Sequence, residues 1–228
     1  QYFRNKDFFT AQGQYKAAFD LDNKNSFLAI KIAKSLWELN QTREALNWID
    51  KAIQIDSKLF SAYALKAEYL SQKYNFIDAE EVLKRAQSLD KNNYEILKAY
   101  TKMELKKHNL NAALLYGERA YKLYSVDVEL LTLLANIYMG IYSRPDSDKL
   151  PESEKNKIVE SARLYTSKAI DLEPTWPEAQ ITYAKYVAIK EGNSIAELQF
   201  KEIIKAFPYT AEYRLAFAEF YEGQDKID

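Results

Sequence analysis

Residues 26–59 read SFLAIKIAKSLWELNQTREALNWIDKAIQIDSKL, two amphipathic stretches separated by a short polar break at 40–42. Apolar residues recur in each stretch at spacings of four and three, which place them on one face of a helix. They are Ala29, Ala33 and Leu36 in the first stretch and Ala45, Ile49 and Ala52 in the second. The segment therefore predicts a hairpin of two helices that face each other through alanine.

The same pattern recurs along the chain with a period of 34 residues. In the second helix of each hairpin, residues seven apart mark the repeat: Ala11/Ala18, Ala45/Ala52, Ala79/Ala86, Ala113/Ala120, Ala162/Ala169 and Ala196/Ile203. In the first helix the mark is one small residue: Ala33, Ala67, Thr101, Ala135, Ala184 and Ala218. One insertion of 15 residues explains the single slip in the series. Small residues are expected where two helices cross closely, because little more than a methyl group fits at the contact.

This pattern resembles the tetratricopeptide repeat family, whose units carry bulky, small and alanine residues at fixed places over 34 positions. The resemblance covers nearly the whole chain and implies an all-α fold, a right-handed α-α superhelix (solenoid) of stacked helix hairpins. The five Gly and five Pro agree with it, because about 16 and about 11 would be average and β-rich folds use both in turns. Glu104 and Gly117 depart from the family pattern.

The register predicts one solenoid over residues 1–228. It divides into a half unit, five complete units and a lone helix: 1–25, 26–59, 60–93, 94–127, 128–176, 177–210 and 211–228. The insertion, at about 143–157, is either tolerated decoration or a binding element. The open register at both ends indicates a fragment of a longer protein. The aromatic residues of the last helix also suggest self-association through 211–222.

Composition excludes several classes of function. With no cysteine and one histidine, the chain has no thiol chemistry and no Cys/His metal site. It also has none of the common hydrolase, phosphate-loop or zinc-protease motifs, so we predict no enzyme activity, no cofactor and no metal. A net charge of −1 argues against a nucleic-acid binder. No apolar stretch is long enough for a direct membrane span.

The compartment stays open at this stage. The absence of cysteine is a weak argument for the bacterial cell envelope or periplasm, and chance depletion explains it almost as well. The cytoplasm is therefore an alternative.

In the family that the chain resembles, the first helix of each hairpin lines a concave groove. The resemblance therefore implies these partner-binding candidates: Phe27, Lys34, Trp37, Glu68, Lys98, Lys102, Thr132, Asn136 and Lys185. Lys98, Lys102 and Lys106 form a ladder of like charges that either an acidic ligand or neighbouring carboxylates would relieve. Trp37 is either an anchor for the partner or a filler of the seam.

Two functions follow as expectations. The first is a protein-protein interaction scaffold or adaptor that binds a peptide or a helix of its partner in the groove, an acidic peptide being one candidate. The alternative is a regulatory or positioning module of a larger protein whose catalytic or membrane-anchored domain lies outside this sequence.

Overall fold

The computed structural model describes residues 7–224, and within them the chain forms helices and turns but no strand. The prediction of an all-α fold is therefore confirmed. Residues 1–6 of the predicted half unit and 225–228 of the predicted last helix lie outside the described part. The helices are α1 (Phe8–Leu21), α2 (Ser26–Glu38), α3 (Thr42–Ile55), α4 (Phe60–Gln72), α5 (Phe76–Leu89), α6 (Tyr94–Lys106), α7 (Leu110–Leu123), α8 (Val128–Tyr142), α9 (Glu152–Leu172), α10 (Pro177–Glu191), α11 (Asn193–Ala206) and α12 (Ala211–Gln224).

The helices belong to two compact units, one ending at His108 and one beginning at Asn109. The first unit contains α1 to α6 and the second α7 to α12. The division falls in the turn between α6 and α7, inside the predicted repeat 94–127. This repeat is the one that departs from the family pattern at Glu104 and Gly117. The boundaries of the individual repeats stay a prediction.

Buried alanines join the helices within each unit. Ala45, Ala52, Ala79 and Ala86 in the first unit and Ala113, Ala120, Ala169 and Ala196 in the second are all fully buried. Larger side chains such as Ile49 and Leu83 fill the space beside them and are also fully buried. Most of the small residues that mark the repeat in the sequence are therefore buried where helices pack closely, whereas Ala18 is half-buried and Ala218 is exposed.

Turns between the helices keep one backbone conformation at the 34-residue interval. Asn40, Tyr74 and His108 have φ angles of 60°, 59° and 58°. This left-handed region favours glycine, tolerates asparagine and costs other residues about 1–2 kcal/mol. The next residue is the N-cap of the following helix, and at two of the three turns it is an asparagine, Asn75 or Asn109, that caps α5 or α7 with its side chain. The connection between α10 and α11 instead uses Gly192, with a φ of 95°.

The predicted insertion divides into a loop and a helix extension. Residues 143–151 connect α8 to α9 and contain a short 3₁₀ turn at Ser147–Lys149. The remaining residues form the first turns of α9, which has 21 residues where α3, α5, α7 and α11 each have 14. Glu152 and Glu154 lie in its first turn, where acidic side chains are favourable.

Helix α12 buries one side and exposes the other. Tyr213 and Ala216 belong to a buried cluster with Phe200, and Phe217 packs against it. On the other side Leu215 is 63% exposed. Self-association through 211–222 stays a prediction.

Two tyrosines of the second unit share one carboxylate. The hydroxyls of Tyr138 on α8 and Tyr165 on α9 donate to Glu118 Oε1 on α7, at 2.9 and 2.8 Å. Burial, together with the hydrogen bond to Glu118 and its negative charge, raises the pKa of Tyr138 to about 12. The same causes raise the pKa of Tyr165. The network joins three helices through neutral phenols and a charged acceptor.

The raised pKa of Tyr138 predicts how its contribution to stability depends on pH. The neutral phenol stabilises the fold fully below the ordinary pKa of 10.0, and this stabilisation is lost as the pH rises through about 12. Tyr138→Phe should lower the free energy of unfolding by about 1 kcal/mol at neutral pH. Urea unfolding of both proteins at increasing pH checks this. The difference between them should shrink above pH 10.0, and a difference that stays constant would contradict the assignment.

Candidate binding site

A cleft with a volume of about 380 Å³ lies between α2 and α4 in the first unit. These are the first helices of two successive hairpins. Lys34, Trp37 and Glu38 of α2 and Leu65, Glu68, Tyr69 and Gln72 of α4 line the cleft. It therefore combines aromatic rings with both signs of charge and one amide.

Two stacked rings lie between α2 and α4. The Trp37 and Tyr69 ring centroids lie 3.8 Å apart with an interplanar angle of 10°. Trp37 Nε1 donates to Gln72 Oε1 at 3.1 Å, which fixes the plane of the indole. The backbones of α2 and α4 approach each other less closely than those of α4 and α6 do. The rings fill part of the space between the two helices, and they line the cleft.

Charges in the cleft differ in how far they are paired. The carboxylate of Glu68 pairs with Lys102 Nζ of α6 at 3.3 Å. Within residues 7–224, by contrast, neither Lys34 nor Glu38 has an ion-pair partner. Burial, with Glu68 and Glu38 nearby, raises the pKa of Tyr69, so its hydroxyl stays protonated. The cleft therefore offers a ligand one ammonium, one carboxylate and a neutral phenol.

The predicted groove residues of the first unit come together only in part. Lys34, Trp37 and Glu68 line the cleft, and Lys102 joins it through its pair with Glu68. Lys98 is half-buried on α6. Burial of Glu95 raises the pKa of that carboxyl, and the positive charge of Lys98 partly opposes this effect. Phe27 is 65% exposed at the start of α2 and does not line the cleft.

Among the groove residues predicted in the second unit, Thr132 does not lie on the surface, so its prediction as a binding residue is wrong. Thr132 is 4% exposed, and its hydroxyl donates to the carbonyl oxygen of Val128 at 2.8 Å. Asn136 is half-buried, and its Oδ1 accepts a hydrogen bond from the Thr182 hydroxyl at 3.1 Å. Lys185 is exposed on α10.

Four residues that line the cleft are missing from the predicted set. They are Glu38, Leu65, Tyr69 and Gln72. Each lies three or four residues from a predicted residue, or directly next to one, on the same helix. The predicted helix face is rotated by about one residue from the face that lines the cleft. Leu65, at the sixth position of its repeat, lines the cleft, whereas Thr132, at the fifth position of its repeat, is buried. Following helical spacing from Lys34 to Glu38 and from Glu68 to Gln72 would have found two of them.

The predicted lysine ladder on α6 is relieved in part inside the chain. Lys102 pairs with Glu68, as one alternative expected. Lys106 Nζ lies 5.0 Å from the centre of the Tyr74 ring, a cation–π geometry. The like charges therefore have separate surroundings, and their repulsion alone does not require a ligand.

Within residues 7–224, no cluster of three or more acidic or histidine side chains could hold a metal ion. None of the helices in the same range combines the length and the apolar composition needed to cross a membrane.

Hairpins that repeat every 34 residues and pack through buried alanines define a tetratricopeptide repeat fold. No protein-family model matches the sequence. The chain is similar to a DnaJ homolog subfamily C member 7 homolog of Dictyostelium discoideum, with 29% identity over 168 residues. The match covers 68% of this chain and 29% of that protein.

Solved structures share the fold. Yeast Tom70 is similar with a TM-score of 0.73 and 21% identity, over 93% of this chain and 42% of Tom70. A human IFIT1 dimer with m7Gppp-AAAA is similar with a TM-score of 0.70 and 17% identity, over 87% of this chain and 46% of IFIT1. YrrB, a TPR protein with an unusual peptide-binding site, has a TM-score of 0.53 and 19% identity, over 89% of this chain and 96% of YrrB. The predicted tetratricopeptide repeat fold is thus confirmed.

The pair between Lys102 and Glu68 predicts a measurable coupling. Both side chains are partly exposed, so a double-mutant cycle of Lys102→Ala and Glu68→Ala should give a coupling energy of about 0.2–1 kcal/mol. The free energies of unfolding of the wild type, the two single variants and the double variant form the cycle, which is measured in low and in high salt. Salt should reduce the coupling, and a coupling of zero at low salt would contradict the pairing.

Proposed function

We propose that the chain is a non-enzymatic protein-interaction scaffold and that the cleft between α2 and α4 holds a segment of its partner. The observation that carries this proposal is the partly exposed Trp37 ring, stacked on Tyr69 beside a cleft of about 380 Å³. A cavity of this size accepts one or two side chains. Tryptophan is also enriched among the few residues that supply most of the binding energy of protein interfaces.

The chemistry of the lining supports a peptide as ligand. Lys34 and Glu38 lie four residues apart on α2, and neither has an ion-pair partner within residues 7–224. A peptide can pair with both while one of its side chains contacts the rings. The peptide-binding site named for YrrB, which shares the fold, supports the same class of ligand.

A nucleic acid is the less favoured ligand, although one similar structure contains m7Gppp-AAAA. The net charge of this chain is −1, and the cleft has Glu38 and Glu68 in its lining. Phosphates would meet these carboxylates at close range, with Lys102 already paired.

The second candidate is a positioning module within a larger protein. The match to the Dictyostelium protein spans only 29% of that protein's length, which supports this reading. The same cleft would then bind a partner on behalf of an attached domain.

Selection from a phage-displayed random peptide library tests the function. The immobilised chain should enrich peptides, and their binding should change the tryptophan fluorescence, to which Trp37 contributes together with Trp48 and Trp176. Lys34→Glu should weaken the binding of the enriched peptides by about tenfold, which is the effect of removing one good interface contact. Lys31→Glu is the matched control, because Lys31 lies on the same helix, is exposed and does not line the cleft.

The two variants separate the possible results. Equal binding by wild type and Lys34→Glu would contradict the cleft as the binding site. Failure of the wild type to enrich any peptide would contradict the function itself. A thermal midpoint measured for each variant shows that the fold is intact.

A further inference from the structure

We propose that Lys73, Tyr74 and Lys106, together the turn surface, bind an acidic segment of the partner that continues from the cleft. This inference rests on the proposed function and deepens it by naming the chemistry of the partner. All three residues belong to the first unit. Lys73 and Tyr74 connect α4 to α5, and Lys106 ends α6.

Tyr74 is a costly residue at its position. Its φ of 59° lies in the left-handed region, and its side chain is 72% exposed, so little burial offsets the strain. Asn40 stands at the equivalent turn one repeat earlier, where the same conformation costs less. The turn's own hydrogen bonds, from Tyr74 N to Ser71 O and from Asn75 N to Leu70 O at 3.0 Å each, hold this conformation while the tyrosine ring stays exposed. Tyr74 therefore has the properties of a binding residue.

Ammonium groups and rings alternate from the cleft to Tyr74 and beyond. Lys73 Nζ lies 5.5 Å from the centre of the Trp37 ring, which lines the cleft. Lys106 Nζ lies 5.0 Å from the centre of the Tyr74 ring. Phe76 meets the edge of Tyr74 with the ring centroids 6.0 Å apart and an interplanar angle of 87°. The turn surface and the cleft therefore form one continuous site.

The charge of this surface is not neutralised inside the described chain. Over residues 7–224, neither Lys73 nor Lys106 has a carboxylate within ion-pair distance. Neighbouring lysines do: Lys102 pairs with Glu68 at 3.3 Å and Lys107 with Glu104 at 2.8 Å. The complementary ligand carries carboxylates for the two ammoniums and an apolar or aromatic side chain for the Tyr74 ring. An acidic peptide segment meets both requirements.

Three fluorescent probes test the charge preference by anisotropy. They are a short peptide that alternates Asp or Glu with Phe and Leu, the same peptide with Lys in place of the acidic residues, and a short single-stranded RNA. We expect the wild type to bind the acidic peptide and to discriminate against the other two. Salt should weaken the binding, because the contacts are exposed ion pairs.

Two variants locate the binding. Tyr74→Gly removes the ring and also relieves the strained backbone, so the thermal midpoint should not fall while affinity for the acidic peptide drops by about tenfold. The double variant Lys73→Glu, Lys106→Glu should reverse the preference toward the basic peptide. The double variant Lys31→Glu, Lys58→Glu changes the net charge equally at exposed positions of the same unit and should keep the wild-type preference.

Each contrary result overturns the inference. These results are equal binding of acidic and basic peptides, unchanged affinity in Tyr74→Gly, equal losses in both double variants, or tighter binding of the RNA. If library peptides still depend on Lys34 but show no acidic preference, the proposed function stands and this inference fails. If no peptide binds the wild type, both fail.

Discussion

Close packing of helices through alanine is the constraint on which the rest of this structure depends. Ala45, Ala52, Ala79 and Ala86 are fully buried in the first unit, where a larger side chain would separate the helices. The 34-residue period is the consequence, because each hairpin must present alanine at the same places to pack in the same way. Left-handed residues at Asn40, Tyr74 and His108 end three of the helices at the same 34-residue interval.

Residues outside the alanine contacts are less constrained by packing, and the cleft between α2 and α4 is built from such residues. Trp37 and Tyr69 stand between α2 and α4, and the stacked rings leave a cleft instead of a closed seam. Glu68 in its lining is paired with Lys102, whereas Lys34 and Glu38 have no ion-pair partner within residues 7–224. Tyr74 in the turn after α4 is a similar case, because its ring is exposed and its backbone has a left-handed φ angle. The scaffold thus fixes the positions of these side chains without fixing their identity.

The sequence predicted the helices and the repeat because both follow from local spacing. Alanine at a 34-residue interval is visible without any structure, and so is the polar break at Asn40. The cleft was predicted less well. The positions that line the cleft differ by about one residue from the positions that are buried against neighbouring helices, and spacing alone does not separate them. Thr132 was misplaced for this reason, and Tyr69 was missed because its role depends on a ring 32 residues away.

The free energy of unfolding of Ala52→Leu tests the central role of the alanine contacts most directly. Ala52 is fully buried, so leucine there should cost about 1–3 kcal/mol through overpacking. Ala17→Leu is the matched control, because Ala17 lies on α1 with its side chain exposed, and its stability should change by less than about 0.5 kcal/mol. Equal stability of the two variants in urea unfolding would contradict the account.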